Sequence, residues 1–166
     1  MNKFHLIIAL LFLATNSIQS QENQEFTTVK TKTGDVKVPG TWTQLNTMDD
    51  SGQTYLKNKE EIIIAIAQNP KKAYSFFKAN KSDFENVKEF YKWDADYRKE
   101  NNFKTDKIKE NPKQEYVIWK YNDGKLDNIF LFGSSKDNFL NLLIYTNTLT
   151  EANKILFLEN LYQLNK

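Results

Sequence analysis

Short stretches of the chain alternate apolar and polar residues with a period of two, the pattern of a strand with one buried face. Turn-forming Gly, Pro, Asp and Asn residues separate these stretches. They predict strands at residues 26–32, 35–38, 41–45, 53–56, 62–67, 103–109, 115–121, 126–133 and 138–146. Ile62, Ile63 and Ile64 form an uninterrupted β-branched run, which predicts a central strand covered on both faces. Asp123-Gly124 predicts a tight turn between two of the later strands.

Two longer stretches follow the helical period instead. Ser82 and Glu85 have the spacing of a capping box, so we expect a helix from there to about residue 100. Its buried side would carry Phe84, Val87, Phe90, Tyr91 and Ala95. Thr148 and Glu151 repeat this spacing and predict a C-terminal helix. The inner residues of that helix would be Ala152, Ile155, Leu158, Leu161 and Tyr162. Pro70 predicts the start of a further, short helix over residues 71–79.

The order of these elements is a group of strands, a central helix, four strands and a final helix. Strands joined by short turns form a mainly antiparallel sheet, and amphipathic helices bury their apolar sides against it. The sequence therefore predicts an α+β fold, a layered sandwich of sheet and two helices. We place this single domain at residues 26–166, behind a polar and mobile leader at 21–25. Trp42 and Trp119 lie in strand patterns and are expected in the core.

The first 20 residues have the three parts of a secretory signal peptide. Lys3 makes the start positive, residues 4–14 are apolar, and residues 15–20 are small and polar. The apolar run of about 11 residues is too short for a membrane span, which takes roughly 20. We expect cleavage near Ser20/Gln21, with Ser17 as an alternative site, and a secreted or periplasmic protein with no membrane span in the mature chain.

Composition removes several classes of chemistry. The chain has no cysteine, and its one histidine, His5, lies in the expected signal peptide. Sites of the Ser-His-Asp and Cys-His types and nearly all zinc sites are therefore not expected. The 23 basic and 21 acidic residues nearly balance, and loss of Lys3 leaves 22 basic residues, so nothing favours binding to nucleic acid. We predict no cofactor, no metal site and no catalytic residue.

A short element, Val38-Pro39-Gly40-Thr41-Trp42, follows the first predicted hairpin. Together with the signal peptide, the central helix, the antiparallel meander and the C-terminal helix, it resembles the PsbP-like and DcrB-like fold group. In that group a Val/Ile-Pro-x-x-Trp element precedes the first long strands. Its members are mostly small accessory or binding proteins, including extrinsic photosystem subunits, envelope proteins and chaperone-like adaptors. The resemblance implies a non-enzymatic role and transfers no functional residue.

Four aromatic residues fall close together in the expected central helix: Phe90, Tyr91, Trp93 and Tyr97. One face of a helix cannot hold all four. If Phe90 and Tyr91 face the sheet, Trp93 and Tyr97 share another side at i, i+4 and stay partly exposed beside Arg98. Exposed Trp, Tyr and Arg are the usual composition of a protein-binding hot spot. We therefore predict Trp93, Tyr97 and Arg98 as binding residues.

Carboxylates near these aromatic residues suggest an alternative. Asp94, Asp96 and Glu100 could support acid–base chemistry on a glycan, or bind one beside Trp93 and Tyr97. On a helix, Asp96 and Glu100 share a face while Asp94 does not. The plain interpretation of these residues is a solvated helix face.

Other motifs are less specific. Ser75 and Lys78 have the Ser-x-x-Lys spacing of penicillin-recognising enzymes, but Lys32-Thr33-Gly34 precedes them where those enzymes place it afterwards. Residues 49–52 offer oxygen ligands for calcium without the alternating pattern of an EF-hand loop. A small apolar ligand between sheet and helices is a further possibility, because a sequence does not distinguish a cavity from a filled core.

The function expected from these observations is an exported, non-enzymatic binding or accessory protein. Its partner would be an envelope or secreted protein, engaged through the exposed aromatic surface of Trp93, Tyr97 and Arg98. The alternative is a small glycan-binding protein or hydrolase that uses the carboxylates from Asp94 to Glu100.

Overall fold

A computed structural model describes residues 25–48 and 50–166 of the chain. The expected signal peptide at 1–20, residues 21–24 of the expected leader and residue 49 of the calcium hypothesis lie outside the described residues. At the beginning of the described chain, the Glu25 carbonyl accepts a hydrogen bond from the Gly40 amide at 2.7 Å. Its carboxylate accepts one from the Thr41 hydroxyl at 2.9 Å, so this residue is fastened to the end of the first hairpin.

The described residues form two antiparallel sheets. Strands β1 (Phe26–Lys30) and β2 (Asp35–Pro39) make a hairpin. The larger sheet has seven strands in the order β3-β4-β5-β9-β8-β7-β6. Its strands are β3 (Thr43–Gln44), β4 (Thr54–Lys57), β5 (Ile63–Pro70), β6 (Thr105–Asn111), β7 (Tyr116–Asn122), β8 (Asp127–Ser135) and β9 (Asn138–Tyr145).

Two α-helices cover opposite faces of the seven-stranded sheet. Helix α1 (Asp83–Glu100) lies over β6, β7 and β8. Helix α2 (Glu151–Asn165) contacts β8 and β9 on the other face and also contacts β2 of the hairpin. We call these the α1 face and the α2 face. The predicted α+β layered sandwich, with one central and one C-terminal helix on an antiparallel sheet, is confirmed.

The central strand β5 shows how the sequence assigns residues to the two faces. Successive side chains of a strand point to opposite sides of the sheet. Ile64 and Ile66 enter the core of the α2 face, whereas Ala65 belongs to the core of the α1 face. Ala67 and Asn69 follow Ala65 on that same side. All four residues from Ile64 to Ala67 are buried, so the prediction of a strand covered on both faces is confirmed.

The predicted capping box at the start of α1 is present. The Ser82 hydroxyl accepts from the Glu85 amide, and the Glu85 carboxylate accepts from the Ser82 amide at 2.8 Å. These two bonds satisfy backbone donors that have no partner within the helix. The helix consequently begins at Asp83 and runs to Glu100 as expected. Its predicted inner residues Val87, Phe90 and Ala95 are buried, and Phe84 and Tyr91 pack partly buried against the same core.

The short helix predicted over residues 71–79 is wrong. Only Lys71–Ala73 form a single 3-10 turn, and Tyr74 already has an extended backbone at φ −103° and ψ 131°. The reason is aromatic packing: the rings of Tyr74 and Phe76, two positions apart, both contact Phe90 and Trp93. A helix would point residues two positions apart in different directions.

The start of α2 also differs from its prediction. Thr150, not Thr148, caps the helix, because its side chain accepts from the Asn153 amide. Thr148 is used instead in a turn with Thr146. The expected inner residues Leu158, Leu161 and Tyr162 are buried and Ile155 packs partly buried against them. Ala152 is exposed, contrary to expectation, because its position in the helix lies away from the side that carries Leu158, Leu161 and Tyr162.

The two tryptophans expected in the core are found there to different degrees. Trp119 is fully buried on the α1 face and stacks on Phe130 at a ring-centroid distance of 4.7 Å. Trp42 is half-buried on the α2 side, where its indole nitrogen donates to the Pro39 carbonyl at 2.8 Å and its ring lies 6.0 Å from that of Phe157.

Candidate ligand-binding cleft

A cleft with a cavity volume of about 540 Å³ opens on the α1 face of the sheet. Helix α1 covers β6, β7 and β8, so this face is less covered on the side of β4, β5 and β9, where the cleft lies. One wall comes from α1, the base includes Asn69 of β5 and Asn141 of β9, and the loop between β3 and β4 closes the opposite side. Ala65 and Ala67 of β5 have small side chains on this face, so β5 projects little toward α1 there.

Aromatic rings form the α1 wall of the cleft. Trp93 and Tyr97 lie at its rim, and Tyr74 and Phe90 lie deeper. The Trp93 ring is supported from behind by Tyr74, Phe76 and Phe90, with ring-centroid distances of 6.0, 5.8 and 6.2 Å. Because Phe90 stacks on Phe132 of the sheet at 4.1 Å, this wall is anchored to the core.

The predicted exposure of Trp93 and Tyr97 is confirmed. Their exposed fractions are 52% and 55%, the largest among the aromatic residues that the structure describes. The structure adds that both belong to a concave surface, together with Arg98. The three residues predicted as a binding surface therefore line one cleft.

Asp94 lies in this cleft as well, and its environment differs from the solvated helix face expected for it. The residue is only 8% exposed, and its Oδ1 lies 3.4 Å from Nε of Arg98. Burial raises the pKa of the Asp94 carboxyl above its ordinary value, and the positive charge of Arg98 opposes this rise only in part. The Arg98 guanidinium also lies 4.6 Å from the centre of the Tyr121 ring, a favourable cation–π geometry.

The base of the cleft contains amide side chains with unmet hydrogen-bonding capacity. Asn69 donates to the Ser51 carbonyl at 3.1 Å and to the Tyr74 hydroxyl at 3.0 Å. Its Oδ1 is buried and accepts no hydrogen bond from the described residues, and the same holds for Oδ1 of Asn141. Buried acceptors without a donor lower the stability of a fold, and these two belong to the lining of one cleft.

Several contacts hold the loop that closes the far side of the cleft. The Lys32 ammonium donates to the Asp50 carbonyl, and Asn69 holds the Ser51 carbonyl. Gly52, at φ +76°, packs directly against Asn69, so that a Cβ there would lie only 2.6 Å from Asn69 Oδ1. Position 52 therefore requires glycine both for its backbone conformation and for this close approach.

The other carboxylates of the glycan hypothesis are not brought into the cleft. Asp96 and Glu100 are absent from its lining, and Asp96 pairs with Lys99 on the outer side of α1 at 3.0 Å. Asp50, which the sequence suggested only as a calcium ligand, contributes to the lining together with Asp94.

The remaining motifs do not assemble into a second site. Ser75 lies in an exposed turn rather than on a helix, and the Lys78 backbone is bonded to the Asn86 side chain at 2.9 and 3.0 Å. The described ranges contain no group of three or more acidic or histidine side chains placed to hold a metal ion.

Sequence reasoning missed the amide residues of the cleft and the burial of Asp94. A signal for the amides was present in two strands. Asn69 follows Ala65 and Ala67 on one face of β5, and Asn141 interrupts the apolar residues Phe139 and Leu143 on the same face of β9. Polar residues at positions that alternation assigns to a buried face indicate either a water-filled or a ligand-binding region.

Comparison of the chain with protein-family models and with curated proteins finds no match. The resemblance to the PsbP-like and DcrB-like group therefore stays a prediction. Within residues 25–48 and 50–166, neither helix is long and apolar enough to cross a bilayer.

Proposed function

We propose that this protein is a non-catalytic binding protein that is exported and recognises an extracytoplasmic component at the cleft beside α1. The observation that carries the proposal is the position of Trp93 and Tyr97. Both residues are more than half exposed, yet they border a cleft that also holds the buried Asp94 and its partly exposed partner Arg98. Exposed aromatic residues next to a concave polar surface are typical of recognition sites.

The proposed mechanism is recognition by a mostly preformed surface. The ring of Trp93 is held in place by Tyr74, Phe76 and Phe90, and Arg98 is held between Asp94 and Tyr121. Side chains that are already ordered lose little conformational entropy when they bind. Binding energy would come from these few anchors, while the rest of the cleft excludes water.

Export is tested together with binding. The full chain is produced in its source with a tag after Lys166 and collected from outside the cytoplasm. We expect the mass of the recovered protein to correspond to cleavage near Ser20/Gln21. Recovery of the uncleaved chain from the cytoplasm alone would contradict the proposed export.

Partner recognition is tested by capture from the envelope fraction and mass spectrometry. We expect a component retained by the unaltered protein to be lost from the Trp93→Ala/Tyr97→Ala variant. Leu156→Ala is the matched control, because Leu156 is 55% exposed and belongs to α2, on the opposite side of the sheet. Equal retention by all three proteins would contradict the cleft as the binding site.

The hydrolase alternative has less support from the geometry. Of the three carboxylates that suggested it, Asp94 alone lines the cleft, and that carboxylate is engaged with Arg98. A binding function uses the aromatic rim and the polar base without requiring a second carboxylate at a set separation.

A further inference from the structure

Acidic and basic side chains are equal in number among the described residues that line the cleft. They are Lys32, Asp50, Asp94 and Arg98, two of each kind. Asp94 and Arg98 also neutralise each other at 3.4 Å. A site for an anion or a cation needs an excess of the opposite charge, because burial of an unpaired ligand charge costs free energy. The lining therefore favours a ligand without net charge.

Many polar groups that line the cleft are planar and carry two or three polar atoms. They include the amides of Gln53, Asn69 and Asn141, the carboxylates of Asp50 and Asp94 and the guanidinium of Arg98. Planar amide, carboxylate and guanidinium groups can meet two neighbouring donors or acceptors at once. Adjacent hydroxyl groups of a sugar ring present such pairs, and each hydroxyl both donates and accepts.

The buried amides add a reason to expect a ligand that donates hydrogen bonds. Oδ1 of Asn69 and Oδ1 of Asn141 lie in the base without a donor among the described residues. Asn69 itself is only 8% exposed. Asn69 Oδ1 lies against Gly52, whereas Asn141 is partly exposed. Rotation of the Asn141 amide toward the cleft would let a ligand hydroxyl supply its missing donor, and the free energy lost by leaving this acceptor unpaired would be recovered.

The aromatic residues at the rim of the cleft suit the apolar face of a sugar ring. One face of a sugar ring carries mainly C–H groups, and such a face packs on an aromatic ring whose negative side attracts polarised C–H bonds. Trp93 and Tyr97 offer exposed rings, whereas Tyr74 and Phe90 lie deeper in the cleft. The volume of about 540 Å³ falls within the range of about 300–1,000 Å³ usual for small-molecule sites, enough for one or two sugar rings.

We infer that the cleft binds a neutral saccharide of one or two rings, stacked on Trp93 and hydrogen-bonded to the polar groups around Asp94 and Arg98. This inference rests on the proposed binding function and names its ligand class. A fully apolar ligand is disfavoured by the buried amides and the ion pair, and a flat protein surface would leave the cleft unfilled. Tyr97 and the loop between β3 and β4 would flank the bound ring.

The test is calorimetric titration of the full chain, purified after export, with a panel of neutral saccharides. The panel contains glucose, galactose, mannose, N-acetylglucosamine and their α- and β-linked disaccharides. Glucuronic acid and glucosamine are the charged comparators. We expect saturable binding of at least one neutral sugar below about 10 mM, the weak end of specific affinities. Binding of the charged analogue of that sugar should be at least about tenfold weaker, because its charge has no counterpart in the balanced lining.

Variants locate the site. Trp93→Ala should weaken binding at least about tenfold, as expected for loss of an anchor, while Trp93→Phe should retain part of it because a ring remains. Leu156→Ala should bind like the unaltered protein. Tryptophan emission gives a second readout, since Trp119 is buried and Trp42 is half-buried away from the cleft, so a sugar-induced change reports mainly Trp93.

The possible outcomes separate this inference from the proposed function. Absence of binding by every neutral sugar up to about 10 mM, with an envelope protein still captured through Trp93 and Tyr97, would overturn the saccharide and leave the binding function standing. Sugar binding that is unaffected by Trp93→Ala would overturn the location. If no sugar binds and no captured component depends on Trp93 and Tyr97, the proposed function and the inference are overturned together.

Discussion

The two faces of the central sheet are built from the same strands but differ in how completely they are packed. On the α2 face, a continuous apolar core includes Leu56, Ile64, Ile66, Leu131 and Leu142. On the α1 face, the same strands carry alanine and asparagine beside a group of aromatic rings, and a cleft remains. The difference begins within single strands, where alternate residues of β5 are isoleucine and alanine.

Buried polar groups on the two faces also differ in whether they have hydrogen-bond partners. The Tyr162 hydroxyl, on the α2 face, donates to the Ser134 carbonyl at 2.6 Å and lies 2.8 Å from the Gln114 carbonyl. Burial raises the pKa of this hydroxyl far above its ordinary value, so it stays protonated and keeps its bonds. On the α1 face, Asn69 and Asn141 leave acceptors unpaired. Under the proposed function, the better-satisfied α2 face would contribute mainly to stability, and the cleft on the α1 face would serve recognition.

The largest expected effect on stability is at the α2 face. Leu131→Ala removes a fully buried side chain and should lower the free energy of unfolding by about 2–5 kcal/mol, through lost burial and the cavity left behind. Urea unfolding followed by circular dichroism measures this. A loss well below 1 kcal/mol would show that this face is less tightly packed than its contacts imply.

Adding a methyl group on the same closely packed face should lower the free energy of unfolding by less than Leu131→Ala does. A Cβ at Gly133 would collide with the Tyr162 ring, lying 2.7 Å from its Cζ, so Gly133→Ala should cost about 1–3 kcal/mol by overpacking. Unfolding of the single variants and of Gly133→Ala/Tyr162→Leu gives the coupling between the positions. Additive effects would argue against the collision, because residues in contact do not behave independently.

Trp93→Ala on the α1 face should affect binding much more than stability. Because the ring is 52% exposed, we expect the free energy of unfolding to change by no more than about 1 kcal/mol. Capture of the partner should nevertheless be lost. Unfolding and capture are measured on the same preparation. A large loss of stability would show that Trp93 belongs to the core of this face rather than to a recognition surface.

The smallest expected effect is a pH dependence that originates at Asp94. Its pKa is raised above the ordinary value of 3.8 in the folded protein, so the folded state holds this proton to higher pH than the unfolded state does. The contribution of Asp94 to stability therefore falls as pH rises from about 3.8 through the raised pKa and is constant above it. Asp94→Asn lacks this decline.

The measurement is the difference in unfolding free energy between the unaltered protein and Asp94→Asn across a pH series. The contributions of the other carboxyl groups cancel in this difference where they do not contact position 94. We expect the unaltered protein to lose stability relative to the variant as pH rises through that window. A gain with rising pH would show that attraction to Arg98, and not burial, controls the pKa of Asp94.

Much of the architecture was accessible from local patterns. The capping box at Ser82 and Glu85 located the start of α1, and alternation located the strands to within a few residues. The exposure of Trp93 and Tyr97 followed from helical spacing once Phe90 was assigned to the sheet. Each of these features depends on neighbours in the sequence, which is why the sequence was sufficient to predict it.

Features that depend on distant residues were not predicted. Residues 71–79 have a pattern compatible with a helix, but Tyr74 and Phe76 both pack on Phe90 of α1, and this tertiary contact prevents the helix. Asp94 was assigned to solvent because a helix position alone does not reveal which parts of the chain cover it. Asn69 and Asn141 line one cleft because β5 and β9 are adjacent in the sheet although distant in sequence.

By itself, the sequence determined the α+β class, the two helices with the capping box of α1, the near balance of charge and the exposed aromatic pair, since composition and short-range periodicity suffice for these. The tertiary structure alone decided that the aromatic pair borders a cleft, that a buried Asp94 pairs with Arg98 inside it, and that its base is lined by amides. The physical reason is strand order. Helix α1 lies over β6, β7 and β8, and only the pairing of β9 with β5 and β8 sets which side chains line the cleft beside α1.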